Sequence, residues 1–151
     1  MRRVFYFAYG SNMRTARLRA RVGPVRVLGA ARLAGHALRT DKPGRDGTAK
    51  ANLRPAPGSA VHGVLFELAE EALGALDGYE GGYRRVRVRV ELPTGERVEA
   101  VTYISERRGS DRRLAADYLS HLVAGAREHG LPDAWIGLLE ALPRRDRGEA
   151  P

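Results

Sequence analysis

Residues 83–92 alternate between apolar and charged side chains. Val86, Val88 and Val90 take every second position, and arginines stand between them. Because successive side chains of a β-strand point to opposite faces, this period of two predicts a half-buried strand. The turn sequence PTGE follows, and residues 98–105 are again rich in β-branched residues. We therefore predict an antiparallel hairpin in this part of the chain.

The rest of the chain contains short strand-like and helix-like segments. Residues 41–59 are rich in proline, glycine and charge, which predicts a long loop with one short strand at 50–53. We predict further strands at residues 3–9, 25–33, 35–40 and 61–68, and helices at 13–22, 69–76, 111–129 and 133–142. This order predicts one α+β domain over residues 1–142, followed by a disordered tail over residues 143–151.

The chain has 151 residues and no cysteine. This length fits one domain with a substantial core. The lack of cysteine excludes disulfides, thiolate nucleophiles and cysteine-ligated zinc or iron–sulfur sites. No apolar run reaches the roughly 20 residues that span a bilayer, and the N-terminus does not resemble a secretory signal. We expect a soluble, cytoplasmic protein that does not insert into membranes.

The formal net charge of +8 raises the question of an anionic partner, including nucleic acid. Lys42 and Lys50 are the only lysines, so that 24 of the 26 basic residues are arginine. We interpret this bias as a property of the composition as a whole, which weakens the case for nucleic acid. A small anionic substrate is compatible with the charge.

Common catalytic and metal-binding signatures are missing from the sequence. It contains no glycine-rich phosphate loop, no HExxH and no nucleophile elbow. His121 and His129 share a predicted helix but stand eight positions apart, too far to bind one metal. We predict no metal site and interpret these histidines, with His36 and His62, as ordinary core or surface residues.

The segment YFAYGSNM predicts a strand that turns sharply into a helix. Ser11 or Asn12 would cap that helix. A turn of this kind exposes backbone N–H groups beside the positive end of a helix, which suits a carboxylate. The alternative is an ordinary connection between a strand and a helix.

The segment LDGYEGGY places two acids after a short helix. Asp77 and Glu80 would lie near the negative end of that helix and close to each other, and both effects disfavour ionisation. A carboxyl group with a raised pKa can act as a general base near neutral pH. We favour Glu80, because it lies among flexible glycines, and expect Asp77 to end the helix as a capping or turn residue. The alternative is a polar loop with two solvated acids.

Four ordered blocks together resemble the γ-glutamylcyclotransferase family. They are YFAYGSNM, KANLRPAPGSAVHGVLFEL, LDGYEGGYRRVRVRV, and YLSHLVAGAREHGLP with DAWIGLLEAL after it. The blocks cover nearly the whole chain. The resemblance implies a small mixed β-barrel of about six strands flanked by helices, and neither a metal nor an organic cofactor.

The resemblance also implies roles for particular residues. Glu80 matches the family's catalytic acid/base, and Tyr118 matches a tyrosine that contacts substrate. The turn that would hold the glutamyl end of the substrate comprises Tyr6, Phe7, Ala8, Tyr9, Gly10, Ser11 and Asn12. Leu114 and Ala115 replace a Pro-Ser pair of better-known members, so the resemblance leaves open the leaving-group side of the pocket and the γ-glutamyl compounds that it accepts.

The implied reaction is ring closure of a γ-glutamyl amino acid to 5-oxoproline, with release of a free amino acid. The α-amine of the substrate is the nucleophile, which suits a chain without cysteine and without a catalytic triad. The expected partner is thus a small γ-glutamyl compound rather than nucleic acid or a membrane, and a homodimer stays open. Related possibilities are release of 5-oxoproline from a γ-glutamylamine and removal of a γ-glutamyl protecting group during biosynthesis.

Two further hypotheses assign the chain to a binding protein rather than to an enzyme. The first is a nucleic-acid-binding module that uses the face of Arg85, Arg87 and Arg89, although this face lacks the aromatic residues on which bases stack. The second is a protein that binds γ-glutamyl metabolites without turnover, against which Glu80 argues.

Overall fold

Five strands close into a barrel in the computed structural model, which describes residues 2–107 and 109–146. The strands are β1 (Arg3–Ala8), β2 (Arg26–Pro43), β3 (Ala49–Ala69), β4 (Arg84–Glu91) and β5 (Arg97–Ile104). They follow one another in the order β1, β5, β4, β2, β3, and antiparallel pairing of β1 with β3 closes the ring. The short strands β6 (Leu114–Ala115) and β7 (Arg144–Arg145) extend the sheet beyond β3. The predicted α+β fold with a small mixed barrel is confirmed.

The predicted hairpin is β4 and β5. Arg84 pairs with Ile104 and Glu91 with Arg97, so the register runs without a break between them. Val90 is fully buried, whereas the arginines of β4 are exposed, as the alternation predicts.

The long loop predicted over residues 41–59 is wrong. Strand β2 continues to Pro43, a turn follows, and β3 runs without interruption from Ala49. The prolines and glycine of residues 55–58 coincide with a break in register, where Ala34 pairs with Ala60 but His36 pairs with Pro55. A bulge tolerates proline because its missing N–H would have no ladder partner there. These residues therefore bend a continuous strand.

The helices are α1 (Thr15–Val22), α2 (Glu70–Tyr79), α3 (Ala116–Glu128) and α4 (Asp133–Glu140). A 3₁₀ turn at Ser11–Met13 precedes α1, whose N-cap is Arg14 and has no side-chain capping bond. The predicted cap at Ser11 or Asn12 is therefore wrong. Helix α2 continues three residues past the predicted end at 76, so Asp77 does not end it.

Helix α3 begins five residues later than predicted. Asp111 accepts hydrogen bonds from the Arg39 side chain and from the backbone N–H of Thr40. These bonds hold residues 111–113 against β2, and Leu114 then pairs in parallel with Ala49.

The first residues of the predicted disordered tail over 143–151 are ordered as a short strand. Arg144 and Arg145 pair with Leu114 and Ala115 as β7, and the Arg145 side chain donates to the carbonyl oxygen of Asp46. The predicted disorder beyond Asp146 lies outside the described residues.

Close packing around two glycines fixes the segment between β1 and α1. A Cβ on Gly63 would lie 2.4 Å from the carbonyl oxygen of Ala8, and one on Gly125 would lie 2.6 Å from the Cβ of Met13. Strand β3 and helix α3 therefore approach this segment too closely for any side chain at those positions. Phe7 and Met13 are fully buried, which contributes roughly 1.5–3 kcal/mol each relative to exposure. The backbone between them is held from both sides.

Candidate active site

A pocket opens at one end of the barrel, beside the turn of residues 10–13, which we call the Gly10 turn. It lies between this turn, the C-terminal end of α2 and the first turns of α3. Its lining is mostly tyrosine, small residues and charge. It comprises Tyr6, Tyr9, Gly10, Ser11, Asn12, Arg17, Arg21, Lys42, Lys50, Ala51, Tyr79, Glu80, Gly81, Tyr83, Thr102, Tyr103 and Tyr118.

Glu80 is the one acidic residue that the described part of the chain contributes to this pocket. It stands at the C-cap of α2, where its backbone N–H still donates to the carbonyl oxygen of Leu76. Burial raises the pKa of the Glu80 carboxyl, while Arg21, the hydrogen bond from Asn12, Lys42 and Arg17 oppose the rise. The predicted direction is confirmed, and its main cause is desolvation, which the sequence did not indicate.

Asp77 behaves in the opposite way from the prediction. It accepts two hydrogen bonds from Arg85, at 2.8 Å and 2.6 Å, and one from the Tyr103 hydroxyl at 2.6 Å. The bonds from Arg85 are the main reason that the pKa of Asp77 is lowered. Its side chain is 44% exposed and it does not line the pocket. Asp77 ties α2 to β4.

Asn12 is buried between three pocket residues. Its side-chain nitrogen donates to the hydroxyl of Tyr6 and to Oε1 of Glu80, both at 3.1 Å. Its side-chain oxygen accepts from Arg21 at 3.3 Å. These contacts use both N–H donors of the amide and one of the two lone pairs of its oxygen. Asn12 therefore holds the Glu80 carboxyl in place, and its part in substrate binding stays a prediction.

Two tyrosine hydroxyls bind the same backbone residue from opposite sides of the pocket. The Ala51 N–H donates to the hydroxyl of Tyr118 at 3.1 Å, and the hydroxyl of Tyr83 donates to the Ala51 carbonyl at 2.6 Å. A Cβ on Gly10 would lie 3.3 Å from the Tyr118 oxygen, so glycine leaves room for that hydroxyl. Burial raises the pKa of Tyr118 to about 12, which keeps it a neutral donor at physiological pH.

The structure brings most of the predicted site residues together. Around the pocket stand Tyr6, Tyr9, Gly10, Ser11, Asn12, Tyr118 and Glu80. Phe7 and Ala8 are almost completely buried in the core and do not line it, so their part in substrate binding stays a prediction. Strand alternation explains this for Phe7, whose side chain points away from those of Tyr6 and Tyr9.

Four basic residues of the pocket escaped prediction: Arg17, Arg21, Lys42 and Lys50. The sequence held one signal, since the only two lysines of an arginine-dominated chain both line this pocket. The arginines carried no such signal, because α1 reads as an ordinary basic surface helix.

The histidines have partners away from the pocket. His129 contacts Thr15 and the carbonyl oxygen of Met13, His121 contacts Arg14, and His62 packs on Trp135. Within residues 2–107 and 109–146 no three His, Asp or Glu residues are grouped closely enough to hold a metal ion. The described helices are also all too short or too polar to cross a membrane.

Comparison with known proteins agrees with this architecture. The chain belongs to the AIG2-like family, whose family model matches residues 60–139. A human protein named gamma-glutamylcyclotransferase is 28% identical over 152 aligned positions, which cover 93% of this chain and 79% of the human protein.

Solved structures show the same fold. A gamma-glutamyl cyclotransferase superposes with a TM-score of 0.91 at 25% identity, over 99% of this chain and 93% of that one. YkqA from Bacillus subtilis superposes with a TM-score of 0.83 at 24% identity, over 96% of this chain and 57% of that one. The resemblance inferred from the sequence blocks is therefore confirmed at the level of family and fold.

Proposed function

We propose that this protein is a γ-glutamylcyclotransferase that converts a γ-glutamyl amino acid into 5-oxoproline and a free amino acid. The observation that carries the proposal is Glu80, a partly buried carboxyl that Asn12 holds beside the Gly10 turn in a cationic pocket. The similarity to proteins named gamma-glutamylcyclotransferase supports this reaction class.

The reaction needs a base and a rigid pocket rather than an enzyme nucleophile. The α-nitrogen of the substrate attacks the δ-carbonyl carbon, a five-membered lactam forms, and the bond to the leaving nitrogen breaks. Well-oriented intramolecular reactions of this kind reach effective molarities of roughly 10⁵–10⁸ M. The work of the enzyme is to curl a flexible chain into that geometry.

Glu80 is proposed to move the proton. The α-ammonium has an ordinary pKa of about 8 and must lose a proton before attack. Burial makes the Glu80 carboxylate a stronger base than an ordinary glutamate. The proton then passes from Glu80 to the leaving nitrogen, so that the free amine departs. The basic residues around the pocket also disfavour the positively charged ammonium.

The backbone N–H groups of the Gly10 turn and the hydroxyl of Tyr118 are proposed to bind the substrate. The first N–H groups of a helical turn lack partners within the turn, and Gly10 and Ser11 place such groups at the pocket. They would hold the α-carboxylate or the developing oxyanion. The hydroxyl of Tyr118 accepts from Ala51 and keeps its own hydrogen for a substrate oxygen.

The face of β4 gives little support to nucleic-acid binding. Arg85 pairs with Asp77, and Arg87 pairs with Glu99 at 3.5 Å. This pairing offsets part of the charge on which such a module would depend.

The direct test is incubation of the purified protein with γ-glutamyl-alanine and detection of 5-oxoproline and alanine. A γ-glutamylamine in a parallel reaction distinguishes the related activity, because only the leaving group differs. We expect release of alanine by the wild type and its near loss in Glu80→Gln. If neither compound yields 5-oxoproline, the proposal is contradicted.

A further inference from the structure

The basic residues of the pocket form two like-charged pairs on two different elements. Arg17 and Arg21 are four residues apart on α1 and thus share one face of the helix. Lys42 and Lys50 stand directly opposite each other in the β2–β3 ladder, so their side chains leave the same face of the sheet. Each arrangement is unfavourable by itself, because like charges at these positions repel.

These four cations differ from the basic residues elsewhere in the described chain that pair with a carboxylate. Arg3, Arg39, Arg54 and Arg85 each form an ion pair. Among the described residues, no carboxylate forms an ion pair with any of the four. Lys42 and Lys50 instead lie over the rings of Tyr83 and Tyr118, at 5.4 Å and 4.3 Å. The Nε of Arg17 is buried without a hydrogen-bond partner.

Within the described pocket lining, Glu80 alone offsets four positive charges. All four side chains are half-buried, where solvent screens charge less than at the surface. A γ-glutamyl compound with a neutral leaving amino acid carries two carboxylates and one ammonium, a net charge of −1. An acidic leaving amino acid raises the negative charge to −2 and matches the pocket more closely.

We propose that the pocket selects γ-glutamyl compounds whose leaving group carries two carboxylates, such as γ-glutamyl-glutamate or γ-glutamyl-aspartate. This inference rests on the proposed cyclotransferase activity and names its preferred substrate class. The two cationic pairs can neutralise separate carboxylates, because they belong to different elements. The preference arises at the leaving group, since every γ-glutamyl substrate has the same glutamyl end.

A matched pair of substrates isolates this charge. γ-Glutamyl-glutamate and γ-glutamyl-glutamine have nearly the same shape and differ by one carboxylate. At low salt we expect kcat/KM to be about tenfold higher for the glutamate compound, the usual effect of one charge-assisted hydrogen bond. Added salt should reduce that ratio, because screening weakens the attraction. A ratio at or below about threefold at low salt, less than such a bond contributes, would overturn the inference.

Substitutions locate the preference. Lys42→Met and Lys50→Met keep the apolar stem and should bring the ratio between the two substrates toward one. Arg89→Met is the matched control, because it removes one positive charge from an exposed residue of β4 outside the pocket. An unchanged ratio in both lysine variants, or an equal fall in the control, would contradict the assignment.

The outcomes separate this inference from the proposed function. Formation of 5-oxoproline without a charge preference overturns the inference alone. Lack of 5-oxoproline from every compound overturns the proposed function. The comparison on the wild type remains decisive even if a lysine variant folds poorly.

Discussion

The side-chain amide of Asn12 donates a hydrogen bond to Glu80 Oε1 at 3.1 Å, although the two residues are 68 positions apart in the chain. Asn12 belongs to the turn between β1 and α1, and Glu80 to the end of α2. This bond therefore joins the two sequence segments that carry the proposed chemistry. It also favours the ionised form of Glu80, against the effect of burial.

Glu80→Gln tests the proposed base. Glutamine keeps the shape and can still accept from Asn12, but it cannot take up a proton. We expect kcat to fall by roughly 10²–10⁴, the range for general acid–base catalysis, while substrate still binds. Initial rates of 5-oxoproline release and a binding titration measure the two effects. A folded variant with near-normal kcat would exclude Glu80 as the base.

The same substitution should change the pH dependence of stability. Because burial raises the pKa of Glu80, the folded protein holds this proton more tightly than the unfolded chain does. The corresponding stabilisation is lost as the pH rises from the ordinary glutamate value through the raised one. We expect the Tm of Glu80→Gln to exceed that of the wild type at neutral pH and the difference to disappear in acid. Thermal melts across this range provide the check.

Asn12→Asp tests whether Asn12 positions and tunes Glu80. The variant replaces a donor by a second carboxylate, and both changes make Glu80 harder to ionise. We expect the acidic limb of the kcat/KM profile to move to higher pH. Asn12→Ala, which only removes the bond, should shift that limb less. A lower rate with an unmoved limb in Asn12→Asp would mean that Asn12 has only a structural role.

Asp77→Asn is the control for the second acid. Asp77 does not line the pocket and is not among the largest influences on the pKa of Glu80. We therefore expect unchanged kcat and an unchanged acidic limb. The loss of a half-exposed ion pair with Arg85 should cost about 1 kcal/mol of unfolding free energy or less. Denaturant titration measures the loss of stability, and the pH profile of kcat/KM measures the acidic limb. Loss of activity in folded protein would assign Asp77 a part in catalysis.

Tyr118→Phe separates substrate contact from packing. Removing the hydroxyl leaves the N–H of Ala51 without this partner, which should cost about 1 kcal/mol of stability. If the hydroxyl also binds substrate, kcat/KM should fall in addition. Tyr83→Phe breaks the hydrogen bond to the other side of Ala51 and is the matched comparison. Wild-type kinetics in Tyr118→Phe would remove this residue from the site.

The parts of the site that were predictable are those with a local signal. The Val/Arg alternation of β4 and the YFAYGSNM turn identify their structures within a few residues. The continuous β3 was hidden, because proline and glycine near residue 57 are typical of loops and only the pairing with β2 shows the bulge. The pKa of Glu80 depends on burial by distant residues, which no local pattern reveals. The opposite behaviour of Asp77 depends in the same way on Arg85 and Tyr103.

The two hydrogen bonds to Ala51 determine which substitutions the pocket can accept without losing its shape. Its N–H and carbonyl groups each meet a tyrosine hydroxyl, one from α3 and one from the segment after α2. Both tyrosines are therefore positioned by backbone groups of one residue of β3. A substitution of the Ala51 side chain does not remove these groups. Lys42 and Lys50 lie over the rings of these two tyrosines but take no part in the hydrogen bonds to Ala51. Exchange of these lysines therefore changes the charge of the pocket, on which the proposed selectivity depends, and leaves both hydrogen bonds to Ala51 in place.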